Sequence, residues 1–394
     1  MDDYTEWGKG LSADLPMAAP SIAVPHAMPR ARIGSASPTG DEQAKVEAML
    51  EYVVCQKASD LHITVGMPPM VRLEGRLTPI PGMSTLTPEE SVALVRAIMT
   101  ERQTKVFEQE LEVDFSFGRP GLGRFRVNVF RERGNVAAAM RRIPDHPPRL
   151  DDLGLPPAVD QLASLRRGLV LVTGPTGSGK STTLAALIDK INRERSEHII
   201  TIEDPIEFVH EHRKSVIQQR EIDFDTISFA RALKSALRED PDVILIGEMR
   251  DLDTIAAAVS AAETGHLVLA TLHTASAVQS IDRIVDAFPA HQQSQIRLQL
   301  SSSLQAVLAQ RLIPDVAGRR LCVAELMLAS PAVRNLIREG KTQNIEQAMQ
   351  SGIEDGMVLF DMNLAGLVRE WRISREVGLA HANDPKSFVE RLGM

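Results

Sequence analysis

The sequence predicts an α/β protein whose C-terminal part contains a parallel sheet covered by helices. Four short apolar runs carry this prediction: GLVLVTG, HIITIED, DVILIGE and HLVLATL follow one another between residues 168 and 272, separated by segments with helical spacing. Continuous apolar strands are typical of parallel sheets that are buried on both faces. The N-terminal third instead contains alternating patterns such as DLHITV at residues 60–65, which predict half-buried strands in a separate, smaller α/β domain.

The elements of the smaller domain can be predicted in order. Helical spacing of Val46, Met49, Leu50 and Val53 predicts a first helix. The stretch MVRLEGRLTPI predicts a hairpin, and the Pro- and Gly-rich turn in VDFSFGRPGLGRFRVNVF predicts another. Thr87 followed by Pro88 predicts the start of a second helix, since threonine caps helices and proline is favoured at their first position.

Composition shifts divide the chain into five predicted parts. The first 40 residues carry five prolines and favour a disordered or loosely docked arm. The polar stretch that includes HPPRLDDLGLPP is the best linker. The predicted parts are the arm at 1–40, the small domain at 41–145, the linker at 146–160, the parallel-sheet core at 161–290 and a mostly helical region at 291–394.

The composition narrows the possible functions. With 394 residues and 43% hydrophobic residues, the chain can form two or more domains with proper cores. Its net charge of −8 argues against a general nucleic-acid binder. Two cysteines cannot make a disulfide framework or a four-cysteine zinc site, so a reducing compartment fits. We find no apolar run of spanning length and no signal-peptide pattern at the start, which predicts a cytoplasmic protein.

The stretch GPTGSGKS at residues 174–181 matches the phosphate-loop pattern G-x-x-x-x-G-K-[ST]. It follows a predicted strand and opens a predicted helix, which is the context that this motif requires. The pattern predicts binding of ATP with Mg²⁺: Lys180 would contact the β- and γ-phosphates and Ser181 would bind the metal ion. The predicted nucleotide-binding residues are Gly174, Pro175, Thr176, Gly177, Ser178, Gly179, Lys180, Ser181 and Thr182.

Carboxylates follow two of the apolar runs. DVILIGEMRD ends in Glu248, with Gly247 where many phosphate-loop enzymes place an aspartate. TIEDPIEF offers Glu203, Asp204 and Glu207 at the carboxyl end of another strand, where open α/β sheets bind ligands. We predict that Glu248 acts as general base or assists the metal through water. Glu207 is the alternative base, and the residues do not decide between the two.

These motifs together resemble one ATPase family. In order, GPTGSGKS, TIEDPIE, ILIGEMRD and AETGHLVLATLHT resemble the Walker A, Asp, Walker B and His boxes of the type II/type IV secretion ATPases. The resemblance runs from about residue 45 to 390 and implies a RecA-like P-loop NTPase domain. ASDLHITVGMPPMVRLEGRL is similar to the family's PAS-like N-terminal domain.

Within that family the sequence is most similar to the PilT-type retraction ATPases of type IV pili. AVRNLIREGKT at residues 332–342 resembles a C-terminal motif linked to retraction, and the four-cysteine zinc element of the assembly ATPases is missing. The resemblance implies a hexameric ATPase motor at the pilus base, peripheral to the inner membrane. It also implies a PilC-like platform protein as partner and a PilU-like paralogue as a further one.

P-loop motors often complete their nucleotide site with arginines from a neighbouring subunit. Arg124 and Arg126 are two residues apart and would project from one strand face, with Phe125 and Val127 on the other. Arg141 lies on the next predicted strand. The resemblance implies that these arginines reach the γ-phosphate, within the subunit or across a hexamer interface; a solvated strand face is the alternative. In the C-terminal motif, Arg334 and Arg338 are four apart and would share an exposed helix face.

His266 and His273 bracket the last apolar run. Seven extended residues span roughly 23 Å, so a shared metal or an acid–base pair is not expected. His273 lies at the carboxyl end of the run and, by its place in the His box, is predicted to sense the γ-phosphate. His266 at the other end is expected to meet a loop or a neighbouring subunit.

Three other functions remain as alternatives. A PilU-type accessory retraction ATPase shares most of these motifs. A RecA-like nucleic-acid translocase would need a basic channel, which the acidic composition disfavours. A small-molecule kinase would need an acceptor pocket, which no motif indicates.

Overall fold

The computed structural model describes residues 40–144 and 146–393. The predicted N-terminal arm therefore lies outside the described residues, apart from Gly40. The described residues form two sheets, which we call the N-terminal sheet and the core sheet. No helix in these two ranges is both long enough and apolar enough to cross a membrane.

The N-terminal sheet has six strands, all antiparallel, in the order β3-β2-β1-β6-β5-β4. Its elements are α1 (Gly40–Cys55), β1 (Asp60–Ile63), β2 (Met70–Leu73), β3 (Arg76–Pro79), α2 (Pro88–Arg96), α3 (Glu101–Glu110), β4 (Glu112–Arg119), β5 (Gly123–Glu132) and β6 (Asn135–Ile143).

Local sequence signals account for this region well. The predicted hairpins form between β2 and β3 and between β4 and β5. Thr87 caps α2 in a capping box with Glu90, in which each side chain binds the other residue's backbone N–H. Along β5, Phe125, Val127 and Val129 are fully buried while Arg126 is exposed, so the predicted alternation of faces is present.

The core sheet has seven strands in the order β13-β12-β7-β11-β10-β8-β9, and only β13 runs antiparallel to its neighbour. Its elements are β7 (Gly168–Thr173), α4 (Lys180–Glu194), β8 (His198–Glu203), β9 (Val216–Glu221), α5 (Phe229–Ala236), β10 (Val243–Ile246), α6 (Leu252–Glu263), β11 (Leu267–Leu272), α7 (Ala277–Asp286), α8 (Gln293–Ser303), β12 (Leu304–Pro314) and β13 (Arg320–Leu328). The remaining helices are α9 (Pro331–Glu339), α10 (Ile345–Ser351), α11 (Phe360–Arg369), α12 (Arg375–His381) and α13 (Pro385–Leu392).

The four apolar runs become β7, β8, β10 and β11. Every residue of β7, β10 and β11 is buried, because helices cover both faces of the sheet. These strands lie side by side in register, with Leu272 beside Thr173, Ala270 beside Ile246 and Ile246 beside Ile202. Their carboxyl ends therefore meet at one edge, where the loops that follow them form a common site.

The region after residue 290, which was predicted to be mostly helical, also contains a pair of strands. The structure has two long strands there, β12 and β13, and β12 extends the core sheet beside β7. The stretch LQAVLAQRLIP is rich in leucine, glutamine and alanine, which favour helices locally. Pairing with the buried β7 overrides that preference, so the helical prediction is wrong for β12 and β13, whereas α8 before them and α9 to α13 after them are helices.

The predicted linker is partly folded onto the core. Two 3₁₀ helices form there, Leu150–Leu153 within the predicted linker and Pro157–Ser164 across its predicted end. Their buried residues Leu150, Val159 and Leu162 pack in the same cluster as Leu184 and Leu187 of α4. This segment therefore belongs to the packing around the phosphate-loop helix.

Candidate active site

The phosphate loop lies between β7 and α4 and is shaped by its glycines. Gly174 has φ +143°, and a Cβ there would lie 2.2 Å from the Gln310 carbonyl oxygen. Gly179 has φ +90° and precedes α4, whose N-terminus no side chain of the described residues caps. A loop of this shape leaves backbone N–H groups and the helix dipole available to an anion, which fits the predicted phosphate site.

Lys180 is the first residue of α4 and points back into the loop. Its Nζ donates hydrogen bonds to the carbonyl oxygens of Gly174 at 2.8 Å and Pro175 at 3.1 Å. Burial lowers the pKa of the Lys180 ammonium, and the charge of Glu248 opposes that shift. Ser181 follows in the first turn and is exposed. An ammonium held inside the loop with a neighbouring free hydroxyl fits a triphosphate with its metal ion.

Gln310 on β12 supports the loop from the neighbouring strand. Its Nε2 donates to the Ser178 carbonyl oxygen at 2.9 Å, although Gln310 and Ser178 are far apart in sequence. The buried Ser178 Oγ has no hydrogen-bond partner among the described residues. Sequence analysis missed Gln310, because β12 was not predicted as a strand and no motif marks the residue.

Glu248 and His273 meet beside this loop. They follow the adjacent strands β10 and β11, and His273 Nε2 lies 3.2 Å from Glu248 Oε1. Arg250 pairs with the other carboxylate oxygen at 2.8 Å. Burial pushes the pKa of Glu248 upward, but the hydrogen bond from Arg250 and the charges of His273 and Arg250 outweigh it and leave that pKa lowered. Glu248 is therefore an anion at neutral pH.

Close packing explains the glycine that precedes Glu248. The Gly247 N–H donates to the Ile202 carbonyl oxygen at 2.7 Å, which ties the end of β10 to β8. A Cβ at Gly247 would lie 3.2 Å from that oxygen and 3.3 Å from the Glu203 Cα. An aspartate at this position would press on the neighbouring strand.

The loop Asp204–Glu207 follows β8 and is held by the half-buried carboxylate of Glu203. Glu203 accepts hydrogen bonds from Thr201 Oγ1 at 2.7 Å, from Gln219 Nε2 at 3.1 Å and from the Glu207 N–H at 3.3 Å. Burial raises the pKa of Glu203, against the effect of these donors. The Glu207 side chain is exposed. Glu203 thus positions the loop, whose two exposed carboxylates at this edge of the sheet are Asp204 and Glu207.

The three predicted arginines lie on one face of the N-terminal sheet. Arg126 is opposite Arg141 across β5 and β6, and Arg124 is two residues before Arg126. Arg124 Nη2 is 2.6 Å from Glu221 Oε2, and Arg141 Nε is 2.9 Å from Asp60 Oδ1. Arg126 is exposed, with no ion pair to any side chain in the described ranges. The structure does not bring the three together with the phosphate loop of the same chain.

His266 and the C-terminal motif have structural partners. His266 Nδ1 lies 2.9 Å from the Ala261 carbonyl oxygen, so it closes the turn between α6 and β11. In α9, Val333 and Ile337 are fully buried. Arg334 is not on an exposed face: it donates to the Ser301 and Ser302 carbonyl oxygens at 2.8 and 3.0 Å at the end of α8. Arg338 is exposed.

Comparisons with known proteins agree with this geometry. Residues 41–365 match the family model of type II/IV secretion system proteins. The chain is 49% identical to the type IV pilus retraction ATPase PilT of Pseudomonas aeruginosa, over 87% of this chain and 99% of that protein. It is 43% identical to the type IV pilus ATPase PilU of the same organism, over 86% of this chain and 88% of that protein.

A solved structure gives the same result in three dimensions. The pilus retraction motor PilT with bound ADP superposes with a TM-score of 0.81 at 48% identity, covering 87% of this chain and 98% of that one. A match of this extent covers both sheets. The predicted fold, an N-terminal α/β domain followed by a RecA-like ATPase domain, is confirmed.

Proposed function

We propose that this chain, which belongs to the type II/IV secretion system protein family, drives type IV pilus retraction by hydrolysing ATP. The chain is an ATPase by its family and by its similarity to PilT. The observation that carries the retraction role is 49% identity over 99% of the length of a pilus retraction ATPase. The geometry of the phosphate loop and of Glu248 and His273 supports the hydrolysis of ATP.

The catalytic roles follow from the positions of the side chains. Lys180 and the backbone N–H groups of residues 174–182 would hold the phosphates of ATP, with Mg²⁺ bound by the Ser181 hydroxyl and by Glu248 through water. Of the two candidate bases, Glu248 is favoured because it follows β10 at the same sheet edge as the phosphate loop and lies 3.2 Å from His273. Glu207 remains the alternative base. His273 would sense the γ-phosphate through its contact with Glu248.

A second subunit completes the site in this proposal. Arg126 is exposed and Arg124 and Arg141 are paired within the chain, so Arg126 is the arginine most available to a neighbouring nucleotide. We infer a homohexameric ring in the cytoplasm at the base of the pilus. Its motion would act on a PilC-like platform protein of the inner membrane, with a PilU-like paralogue as a further partner.

Two alternatives are weaker. A PilU-type accessory role is supported by 43% identity, which is less than the 49% identity to PilT. A nucleic-acid translocase is disfavoured by the net charge of −8. DNA or RNA that strongly stimulates ATP hydrolysis would favour the translocase.

Deletion of the gene in its native host tests the proposal. We expect cells that carry normal or increased numbers of pili but do not twitch, with motility restored by the wild-type gene. Bald cells would identify an assembly motor instead. Piliated cells that still twitch at reduced speed would favour the accessory role.

A further inference from the structure

The carboxylate of Glu221 joins the two sheets. Glu221 ends the edge strand β9, and its side chain is 5% exposed. Its Oε2 accepts hydrogen bonds from Arg124 Nη2 at 2.6 Å and from Ser116 Oγ at 2.8 Å, both in the N-terminal sheet. The same oxygen accepts a hydrogen bond from the Ile206 N–H at 3.2 Å, and Ile206 belongs to the domain of the core sheet. One buried oxygen therefore contacts both parts of the molecule.

The core contact is with the loop that carries Glu207. Glu221 lies beside Glu203 in the β8–β9 register, and the two carboxylates hold consecutive backbone N–H groups of the Asp204–Glu207 loop. Ile206 is 4% exposed, so the loop is packed as well as hydrogen-bonded. Of these two anchors, Glu221 also contacts the N-terminal sheet.

Distance argues against a direct role of Arg124 at the phosphate loop of its own chain. β9 is four strands away from β7 in the core sheet. At about 4.8 Å per strand this separation is roughly 19 Å. Arg124 instead contacts the residue that holds the Asp204–Glu207 loop.

We propose that Arg124 and Glu221 are positioning residues that couple the N-terminal sheet to the Asp204–Glu207 loop within one subunit. A buried carboxylate requires charged or hydrogen-bonding partners, and Arg124 is the cation that contacts this one. If the N-terminal sheet moves away, Glu221 loses both Arg124 and Ser116 and keeps one backbone donor. The loop and the N-terminal sheet are therefore expected to move together during turnover. This inference rests on the proposed ATPase site, because it acts through Glu207.

A double-mutant cycle on the full-length protein tests the coupling. The variants are Arg124→Ala, Glu221→Gln and the combination, with kcat and KM for ATP hydrolysis and the nucleotide Kd measured for each. We expect either single change to lower kcat by about 10-fold or more, because a displaced loop misplaces its carboxylate. KM and Kd should stay near wild type, and the double variant should lose no more than the worse single variant. Arg124→Lys should recover part of kcat.

The matched control is Arg220→Ala on the same strand. Arg220 pairs with Glu239 at 3.2 Å, and both residues belong to the domain of the core sheet. Its side chain is about as exposed as that of Arg124. It should keep wild-type kcat even if its melting temperature falls. If Glu221→Gln is too unstable to purify, Ser116→Ala removes one N-terminal donor and should lower kcat in the same direction.

Two results would overturn the coupling. If the losses in kcat multiply in the double variant, the two residues act independently, as expected for an Arg124 that serves a neighbouring subunit. If kcat is unchanged in both single variants, the contact between Arg124 and Glu221 has only a structural role. The wild-type rate separates this test from the test of the proposed function. If the wild-type enzyme is active but the variants show no coupling, only this inference is wrong. If the coupling is present but the cells do not retract pili, the pilus role is wrong.

Discussion

The N-terminal sheet is antiparallel and carries charged side chains along a face, whereas the central strands β7, β10 and β11 of the core sheet contain no charged residue and are followed by charged residues beyond their ends. Along β5, Arg124 and Arg126 alternate with the buried Phe125 and Val127. Along β10 and β11 every residue is buried, so Glu248 and His273 come after the last strand residue. The difference indicates that the core sheet can build one fixed site at its edge, while the N-terminal sheet has an exposed charged face that is available for contacts with other molecules.

The largest expected effect in this comparison is at the edge of the core sheet. We expect Glu248→Gln to lower kcat by about 100-fold, on the order of the effect of general-base removal, with nucleotide binding retained. Because the pKa of Glu248 is lowered, the carboxylate stays ionised as pH falls until that depressed value is reached. Protonation of Glu248 should therefore not lower turnover at mildly acidic pH, and it should do so only below the ordinary range of a carboxyl group.

The measurement is phosphate release across a pH series with the nucleotide Kd at each pH. Glu263→Gln, at the end of α6 and exposed, is the control and should behave as wild type. If Glu248→Gln weakens nucleotide binding by the same factor as it lowers kcat, Glu248 has a structural role and is not the general base.

The second prediction concerns the interior of the core sheet. Leu171 is fully buried in the middle of β7 and carries no chemistry. We expect Leu171→Ala to lower the free energy of unfolding by about 2–5 kcal/mol through the cavity it leaves. Chemical denaturation measures this change, with the exposed Leu77→Ala of β3 as control. A change below about 0.5 kcal/mol would contradict the described packing.

The third prediction concerns the exposed face of the N-terminal sheet. We expect Arg126→Ala to change stability by less than about 0.5 kcal/mol, because the side chain is exposed. It should nevertheless lower kcat of the assembled protein by about 10-fold or more, since an arginine that completes a neighbouring site stabilises charge in the transition state. Arg102→Ala, on the exposed side of α3, is the control. Equal kcat in both variants would mean that Arg126 is a solvated surface residue.

Short-range signals predicted the four apolar strands of the core sheet, the hairpins of the N-terminal sheet, the phosphate loop and the sheet edge where the candidate site lies. Gly174 to Ser181 form a contiguous motif, and Glu248 and His273 follow apolar runs that end at the same edge of a parallel sheet. The signals for β12 and for Gln310 are absent locally, because β12 is stabilised by pairing with β7 rather than by its own propensity.

Contacts between distant segments account for the rest. The Arg124–Glu221 pair joins residues 97 positions apart, and no spacing rule indicates it. Helical spacing predicted that Arg334 lies on an exposed face. In the structure α8 covers it, and Arg334 donates hydrogen bonds to two carbonyl oxygens at the end of that helix. In both cases the sequence indicates on which side of the strand or helix the arginine lies. The tertiary fold decides whether that side is exposed and which partner the arginine binds.

Shortening of individual pili is the most direct measurement of the proposed function. In cells that lack the gene, fluorescently labelled pili are followed after complementation with the wild-type gene or with Lys180→Ala. Lys190→Ala on the same helix, which pairs with Asp160 and Glu194, is the control. We predict that wild type and Lys190→Ala restore shortening, whereas with Lys180→Ala pili extend and do not shorten. Shortening at the wild-type frequency with Lys180→Ala would contradict an ATP-driven retraction motor.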